Sequence, residues 1–131
     1  MNQNAPTPIA NTEQFKNALL TLRDKGFPEG HFAMLKAQCA APGGSITSTK
    51  LAESAGYENY NAANLQYGTL ASNVAALLAY TPPKRKDGTY MWWTTLSYSI
   101  DGNAEPSTGQ FQFIMRPELV AALREMRWVK A

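Results

Sequence analysis

The sequence has one cysteine, Cys39, and one histidine, His31, in 131 residues. A single cysteine cannot form an internal disulfide, so we expect a protein of a reducing compartment, the cytoplasm. A structural zinc site needs about four nitrogen or sulfur ligands, and these two residues supply only a pair on one predicted helix. The sequence therefore indicates no metal site and no cofactor, and His31 is expected to be an ordinary, partly exposed side chain.

Charged residues are scarce as well. They make up 17% of the chain, against about 25% in an average globular domain, and the formal net charge is +2. This balance excludes a strongly basic DNA-packaging protein but is compatible with a DNA partner. Catalytic constellations are equally sparse, because a nucleophile would have to use the single histidine and no serine stands in a G-x-S-x-G motif. We therefore expect that the protein is not an enzyme.

Long apolar runs are also missing. No segment approaches the ~20 consecutive apolar residues of a membrane span, so no membrane partner is expected. Residues 1–11 are polar, contain Pro6 and Pro8, and lack the charged and apolar regions of a signal peptide. These residues are predicted to form a disordered tail, and residues 12–131 are predicted to form a single domain of ordinary size.

Apolar residues at helical spacing predict two helices in the first third of the chain. Thr12 is expected to cap the first helix, whose buried face carries Phe15 and Leu19. The second helix is predicted over residues 29–39. The Ala-Ala-Pro-Gly-Gly sequence at residues 40–44 then breaks the helical pattern.

The middle of the chain has the pattern of a helix-turn-helix. Thr47 or Ser48 is expected to cap a short helix that Gly56 terminates, because glycine readily adopts the left-handed conformation that follows a helix. After a short turn, Asn61 or Asn59 caps a longer helix. A short and a long helix joined by such a turn form the outline of a helix-turn-helix.

The apolar period changes after this segment. Residues 90–100 are rich in aromatic and β-branched types, which predicts a strand, and residues 111–115 are expected to be its antiparallel partner. Residues 101–109 form the loop between them, and Pro117 opens a last helix. The predicted fold class is therefore α+β and mostly helical: a helix-turn-helix core with a two-stranded β-hairpin wing, as in a winged helix, and a final C-terminal helix.

Amide side chains near the start of the longer helix are candidates for contacts with DNA bases. Asparagine and glutamine can bond adenine in the major groove, and recognition helices contact base edges near their first turns. The candidates are Asn59, Asn61, Asn64 and Gln66. The outer face of this helix is expected to carry Asn64, Gly68 and Ser72, with Leu65 and Thr69 nearby.

The same helix has an alternative interpretation. Residues 59–83 contain no charged side chain, whereas most recognition helices carry a basic residue near phosphate. The helix would then be a packed central helix, in which Gly68 and the alanines mediate helix–helix contacts.

Basic and aromatic residues on either side of this helix extend the candidate interface. The basic candidates for phosphate contacts are Lys50, Lys84, Arg85 and Lys86, although a run of three basic residues is also a common solubilising turn. The aromatic candidates for stacking on a base are Tyr60, Trp92 and Trp93. The two tryptophans would face opposite sides of the predicted strand, and at least one should enter the core.

Several of these motifs resemble a known domain. They are Leu51-Ala52, Gly56-Tyr57, Asn59-Tyr60, the run A-A-N-L-Q-Y-G at 62–68, Met115-Arg116-Pro117-Glu118-Leu119 and Trp128. They are similar to a winged-helix-like domain that precedes HNH nuclease domains in bacterial restriction-type proteins, and the similarity covers residues 12–129. The resemblance implies a DNA-targeting or accessory module. It does not imply nuclease activity, because this sequence contains no HNH segment with its His and Asn ligands.

Taken together, these features favour a non-catalytic, DNA-binding accessory domain of a restriction, defence or phage context. Duplex DNA is the expected partner, and the sensing of modified bases is left open. The alternative is a protein-interaction module or inhibitor that docks on a larger nucleoprotein complex, which the low charge of the helix favours. Pairing into a homodimer is also left open.

Overall fold

The computed structural model describes residues 7–99 and 110–129. These residues form a mostly helical α+β fold with five α-helices and a small antiparallel sheet of three strands. The helices are α1 (Thr12–Lys25), α2 (Glu29–Ala40), α3 (Ser48–Ala55), α4 (Tyr60–Leu78) and α5 (Pro117–Glu125). The strands are β1 (Ser45–Thr47), β2 (Ser97–Tyr98) and β3 (Gln112–Met115), and short 3₁₀ helices cover Pro42–Gly44 and Trp92–Thr95.

The cap of α1 is one residue earlier than predicted. The cap is Asn11, whose side chain accepts a hydrogen bond from the Gln14 N–H at 2.8 Å, while Gln14 Oε1 accepts one from the Asn11 N–H at 2.8 Å. Thr12 is therefore the first helical residue and not the cap. The reason is the glutamine three positions after Asn11, which completes a reciprocal capping box.

The segment before α1 is packed against the domain. Ile9 contacts the hydrophobic core, and Ala10 is only 7% exposed. The tail predicted over residues 1–11 therefore does not extend to these positions, because their apolar side chains find a partner surface. Residues 1–6 lie outside the described residues.

Helices α3 and α4 begin and end where their local sequence signals predict. Thr47 Oγ1 accepts a hydrogen bond of 3.2 Å from a first-turn N–H of α3, and Gly56 ends this helix at φ 74° and ψ 23°. Asn59 Oδ1 accepts a hydrogen bond of 2.9 Å from a first-turn N–H of α4. Thr47 and Asn59 are therefore the caps that the chain uses, out of the two alternatives predicted for each helix.

β3 is the central strand of the sheet. The strand order is β1-β3-β2, and both pairs are antiparallel, with Ser45 opposite Ile114 and Ser97 opposite Met115. The antiparallel pairing predicted for the two late segments is confirmed. β1 is an additional strand, which has too few residues to show a period in the sequence. The loop predicted at residues 101–109 lies outside the described residues.

The strand predicted over residues 90–100 is wrong for most of its length. Trp92–Thr95 form a 3₁₀ helix, and within the described residues 90–99 only Ser97–Tyr98 pair with β3. In this turn the Trp93 ring packs edge-on against the Phe113 ring, with 5.6 Å between centroids. Aromatic residues favour strands only where their neighbours suit a pleated surface, and here packing against α4 and the sheet prevails.

A ring of three buried polar side chains joins α2, α4 and β2. Tyr67 Oη donates to Gln38 Oε1 at 2.6 Å, and Gln38 Nε2 donates to Ser97 Oγ at 2.9 Å. Ser97 Oγ and Tyr67 Oη are also 2.6 Å apart, and burial raises the pKa of the Tyr67 hydroxyl. Because each member has partners, this network fixes the inner side of α4 against the sheet.

The C-terminal helix α5 packs against α1. It begins at its proline, as predicted, and Glu125 forms an ion pair of 2.6 Å with Lys16 of α1. The Trp128 ring packs edge-on against Phe27, with 5.8 Å between centroids. Among the described residues, none of the helices combines the length and apolar character that crossing a membrane requires.

Candidate nucleic-acid interface

The outer face of α4 is accessible in the described part of the chain. Asn61, Leu65, Thr69 and Asn73 recur at intervals of four residues and are all exposed. Leu65 is 68% exposed, which is unusual for a leucine in the middle of a helix. The surface that a recognition helix needs is therefore available, while the inner face of α4 is buried.

The predicted base-reading residues lie in different environments. Asn61 is exposed, and Asn59 is exposed as well, although its Oδ1 is engaged in capping α4. Asn64 is half-buried, and its Oδ1 has no hydrogen-bond partner among the described residues. Asn61 is thus the amide that an approaching duplex could meet most directly.

Gln66 connects α4 to α2. Gln66 Oε1 accepts a hydrogen bond of 2.8 Å from Nε2 of His31, and His31 is only 2% exposed. The prediction that His31 is partly exposed is therefore wrong. The reason is a contact across 35 residues of chain, for which a single sequence carries no signal. The carbonyl oxygen of Gln66 is committed to this contact.

A groove of about 410 Å³ lies between α4 and the segment that leads to β2. It is lined by Asn64, Leu65, Gly68, Thr69, Ser72, Arg85, Tyr90, Trp92, Trp93 and Phe113. We call it the α4 groove. One side consists of residues of α4, which are small or polar except for Leu65, and the other side is aromatic except for Arg85.

The basic turn, residues 84–89, borders the α4 groove through Arg85. Asp87 Oδ1 accepts hydrogen bonds from the Thr89 hydroxyl at 2.6 Å and from the Thr89 N–H at 2.9 Å. These bonds hold the pKa of the Asp87 carboxyl below its usual value. Arg85 Nη1 donates to the Tyr90 carbonyl oxygen at 2.7 Å. The turn therefore holds the Arg85 guanidinium in a defined position at the groove.

The lysine candidates lie outside the lining of the groove. Lys84 and Lys86 are exposed on the basic turn, and Lys84 Nζ lies 5.4 Å from the centroid of the Tyr90 ring. Lys50 is exposed in the first turn of α3, where its Nζ lies 3.6 Å from a carboxylate oxygen of Glu53. The turn thus adds two exposed cations next to Arg85, whereas Lys50 belongs to a different helix.

The two tryptophans differ in exposure. Trp93 is 4% exposed and packs edge-on against Phe111, with 5.4 Å between centroids. Trp92 is half-buried, and its ring centroid lies 5.1 Å from that of Tyr90. Both tryptophans line the α4 groove, whereas Tyr60 does not. Trp92 is therefore the predicted stacking residue that a bound ring could reach.

The sequence predicted the α4 side of the groove and part of the other side, because the candidates Arg85, Trp92 and Trp93 also line it. The residues expected on the outer face of α4 do line it, but Tyr90 and Phe113 were not singled out. Tyr90 precedes the 3₁₀ helix that begins at Trp92, so the strand period of two residues gave no valid signal for its position. The approach of Phe113 from β3 likewise depends on the tertiary fold.

Neither a cluster of metal ligands among the described residues nor a similarity to known proteins indicates what the site binds. In residues 7–99 and 110–129, no three His, Cys, Asp or Glu side chains come together where they could hold a metal ion. Comparisons with protein-family models, curated proteins and solved structures give no match to this chain. Its function must therefore be inferred from the chemistry of α4 and the groove.

Proposed function

We propose that this chain is a non-catalytic DNA-binding domain that places the outer face of α4 against duplex DNA. The observation that carries the proposal is the basic turn beside this exposed face, where Arg85 and Leu65 line the same groove. Contacts with phosphates position a protein on DNA and supply much of its affinity. The cations of the turn can fulfil this role for a helix that has no charge of its own.

The order of elements supports a winged-helix domain. α2, β1, α3, α4, β2 and β3 follow one another as helix, strand, two helices and hairpin, and β1 pairs with the second strand of that hairpin. The same order is expected of a winged helix, which supports the proposal, and in helix-turn-helix proteins the second helix enters the major groove. Here that helix is α4.

The resemblance to the domain that precedes HNH nucleases points to the same role. It suggests an accessory module that targets DNA in a bacterial restriction or phage-defence context. Reading of modified bases is a specialised form of this role. The test compares the affinity of the protein for the same duplex with and without 5-methylcytosine. A difference in affinity supports the reading of this modified base, and equal affinities refute it.

The test of DNA binding uses the double variant Lys84→Glu/Lys86→Glu and a fluorescently labelled duplex at several salt concentrations. Each phosphate contact contributes about 0.9 to the slope of log affinity against log salt. The wild-type protein is expected to bind weakly and with strong salt dependence, and the variant is expected to lose roughly two units of slope. Binding that is unchanged in the variant would remove the phosphate role of the turn.

A matched control separates the turn from net charge. Lys25→Glu/Lys36→Glu makes the same charge change at exposed positions near the end of α1 and on α2. This variant is expected to retain most of the wild-type slope. An equal loss in both double variants would mean that overall charge, and not the turn, attracts DNA.

A protein-docking role is the second candidate, and the exposure of Leu65 favours it. A leucine that is 68% exposed on an uncharged helix face resembles the apolar centre of a protein interface. Sedimentation equilibrium tests self-association of the wild-type protein and of Leu65→Ser. Association that the substitution abolishes would make α4 an interface between copies, whereas a wild-type monomer at all concentrations would speak against a homodimer.

A further inference from the structure

Gly68 occupies the middle of α4 without a packing requirement for glycine. Glycine is among the least favourable residues in a helix interior. Apart from its chain neighbours and the backbone of its own helix, a Cβ atom built on Gly68 would meet no heavy atom within 4 Å. The interpretation in which Gly68 mediates helix–helix contact is therefore wrong. The missing side chain instead leaves open space in the α4 groove, which Gly68 lines.

The side of the groove opposite Gly68 is aromatic. The rings of Tyr90 and Trp92 lie 5.1 Å apart with an angle of 51° between their planes, and Trp92 is half-buried. The groove volume of about 410 Å³ falls in the range of roughly 300–1,000 Å³ that is usual for small-ligand sites. An aromatic wall facing a helix position without a side chain suits a flat ring.

Two polar groups among the residues that line the groove indicate which kind of ring would bind there. Asn64 Oδ1 is a buried acceptor and Trp93 Nε1 a buried donor, and both lack a hydrogen-bond partner among the described residues. Trp93 itself is only 4% exposed, so its N–H has no access to bulk water. A nucleobase edge carries donors and acceptors together, and because both atoms are buried, it contacts them only after the side chains that line the groove move aside. Arg85 at the rim brings positive charge to where a sugar–phosphate would lie.

We infer that the α4 groove accepts one unstacked nucleobase. Its ring stacks on Trp92, and its polar edge faces Asn64 and Trp93. The inference rests on the proposed function for the source of the base, which is a DNA strand. The same chemistry would accept a free nucleoside, and the experiment distinguishes these two sources.

The experiment compares Gly68→Leu with Gly68→Ala. Both substitutions start from a Cβ position that is sterically open and favour the helix, but the larger side chain fills the groove. The first probe is a labelled duplex with one extrahelical base, measured against the same duplex without it. The second probe is a set of free nucleosides, followed by tryptophan fluorescence. Thermal unfolding verifies that both variants fold.

The wild-type protein and Gly68→Ala are expected to prefer the duplex with the extrahelical base by roughly ten- to a hundredfold, the effect of stacking one base on an aromatic ring. Gly68→Leu is expected to lose this preference, so that its affinities for the two duplexes become equal. A preference that persists in Gly68→Leu overturns the inference.

The nucleoside probe separates failure of this inference from failure of the proposed function. If the wild-type protein binds no duplex but binds nucleosides, and Gly68→Leu does not, the groove is a nucleobase site and DNA binding is refuted. If the wild-type protein binds the perfect duplex but shows neither a preference for the extrahelical base nor nucleoside binding, DNA binding stands and the groove inference is overturned. If it binds neither DNA nor nucleosides, both proposals fail.

Discussion

The Tyr67 hydroxyl donates a hydrogen bond of 2.6 Å to Gln38 Oε1, which lies 29 residues earlier in the chain. Both side chains are 0% exposed. This bond links the inner face of α4 to α2, and the opposite face of α4 carries the groove. The orientation of the proposed interface therefore depends on a polar contact in the core.

Replacing Tyr67 with phenylalanine removes this bond and leaves buried partners unsatisfied. The free energy of unfolding is expected to fall by about 1–3 kcal/mol, measured by urea denaturation. Tyr80→Phe is the matched control, because the Tyr80 hydroxyl is only part-buried and lies 3.4 Å from Thr94 Oγ1. Equal losses of unfolding free energy in the two variants would show that the buried network stabilises the protein no more than the part-buried Tyr80 hydroxyl does.

The stability of the protein is expected to depend on pH in the alkaline range through Tyr67. Burial raises its pKa above the value of about 10 found in unfolded chains. The unfolded chain therefore loses the proton first, so this contribution is fully present below pH 10 and is lost as pH rises further. The loss approaches about 1.4 kcal/mol per pH unit. The free energy of unfolding of the wild type and of Tyr67→Phe at a series of pH values measures this contribution. If the two free energies change with pH in parallel above about pH 10, the assignment to Tyr67 is contradicted.

Gly68→Ala is expected to stabilise the protein. Alanine is about 1 kcal/mol more favourable than glycine in a helix interior, and the new methyl group meets no heavy atom within 4 Å. The midpoint of thermal unfolding should rise accordingly. A lower midpoint would show that the space beside Gly68 is not open in solution.

Alanine substitutions of Gln66 and Asn61 are expected to have opposite effects: the first lowers stability, and the second weakens duplex binding. Gln66→Ala leaves the buried His31 without its partner and should lower the free energy of unfolding by about 1–3 kcal/mol, with little effect on duplex affinity. Asn61 is exposed, so Asn61→Ala should change stability by less than about 0.5 kcal/mol while weakening duplex binding. Urea denaturation and fluorescence anisotropy measure the two effects. The reverse pattern would assign base contacts to Gln66.

The parts of the fold that the sequence could predict depend on neighbouring residues. Thr47, Gly56 and Asn59 act within one helical turn of their own positions, and such signals can be read from a single chain. The strand predicted around Trp92 failed because its aromatic side chains pack against α4, which no local pattern reports. The position of Asn11 as the cap was also readable, since Gln14 completes its capping box.

The candidate site was predictable on its α4 side from helical spacing, and on its other side only as the residue types of Arg85, Trp92 and Trp93. Helical spacing places Asn64 and Gly68 on the same side of α4, and both do line the groove. The contact between Gln66 and His31 joins residues 35 positions apart, so no period could indicate it. The aromatic side of the groove likewise requires β3 and residues 90–93 to meet at α4, which only the tertiary fold determines.

The most direct test of the proposed interface is an NMR titration of the protein with a short DNA duplex at low salt. Chemical-shift changes are expected to concentrate at Asn61, Leu65, Thr69 and the basic turn, with little change in α1 and α5. Changes confined to α1 and α5, or no changes at all at millimolar duplex, would contradict a DNA-binding role for the outer face of α4.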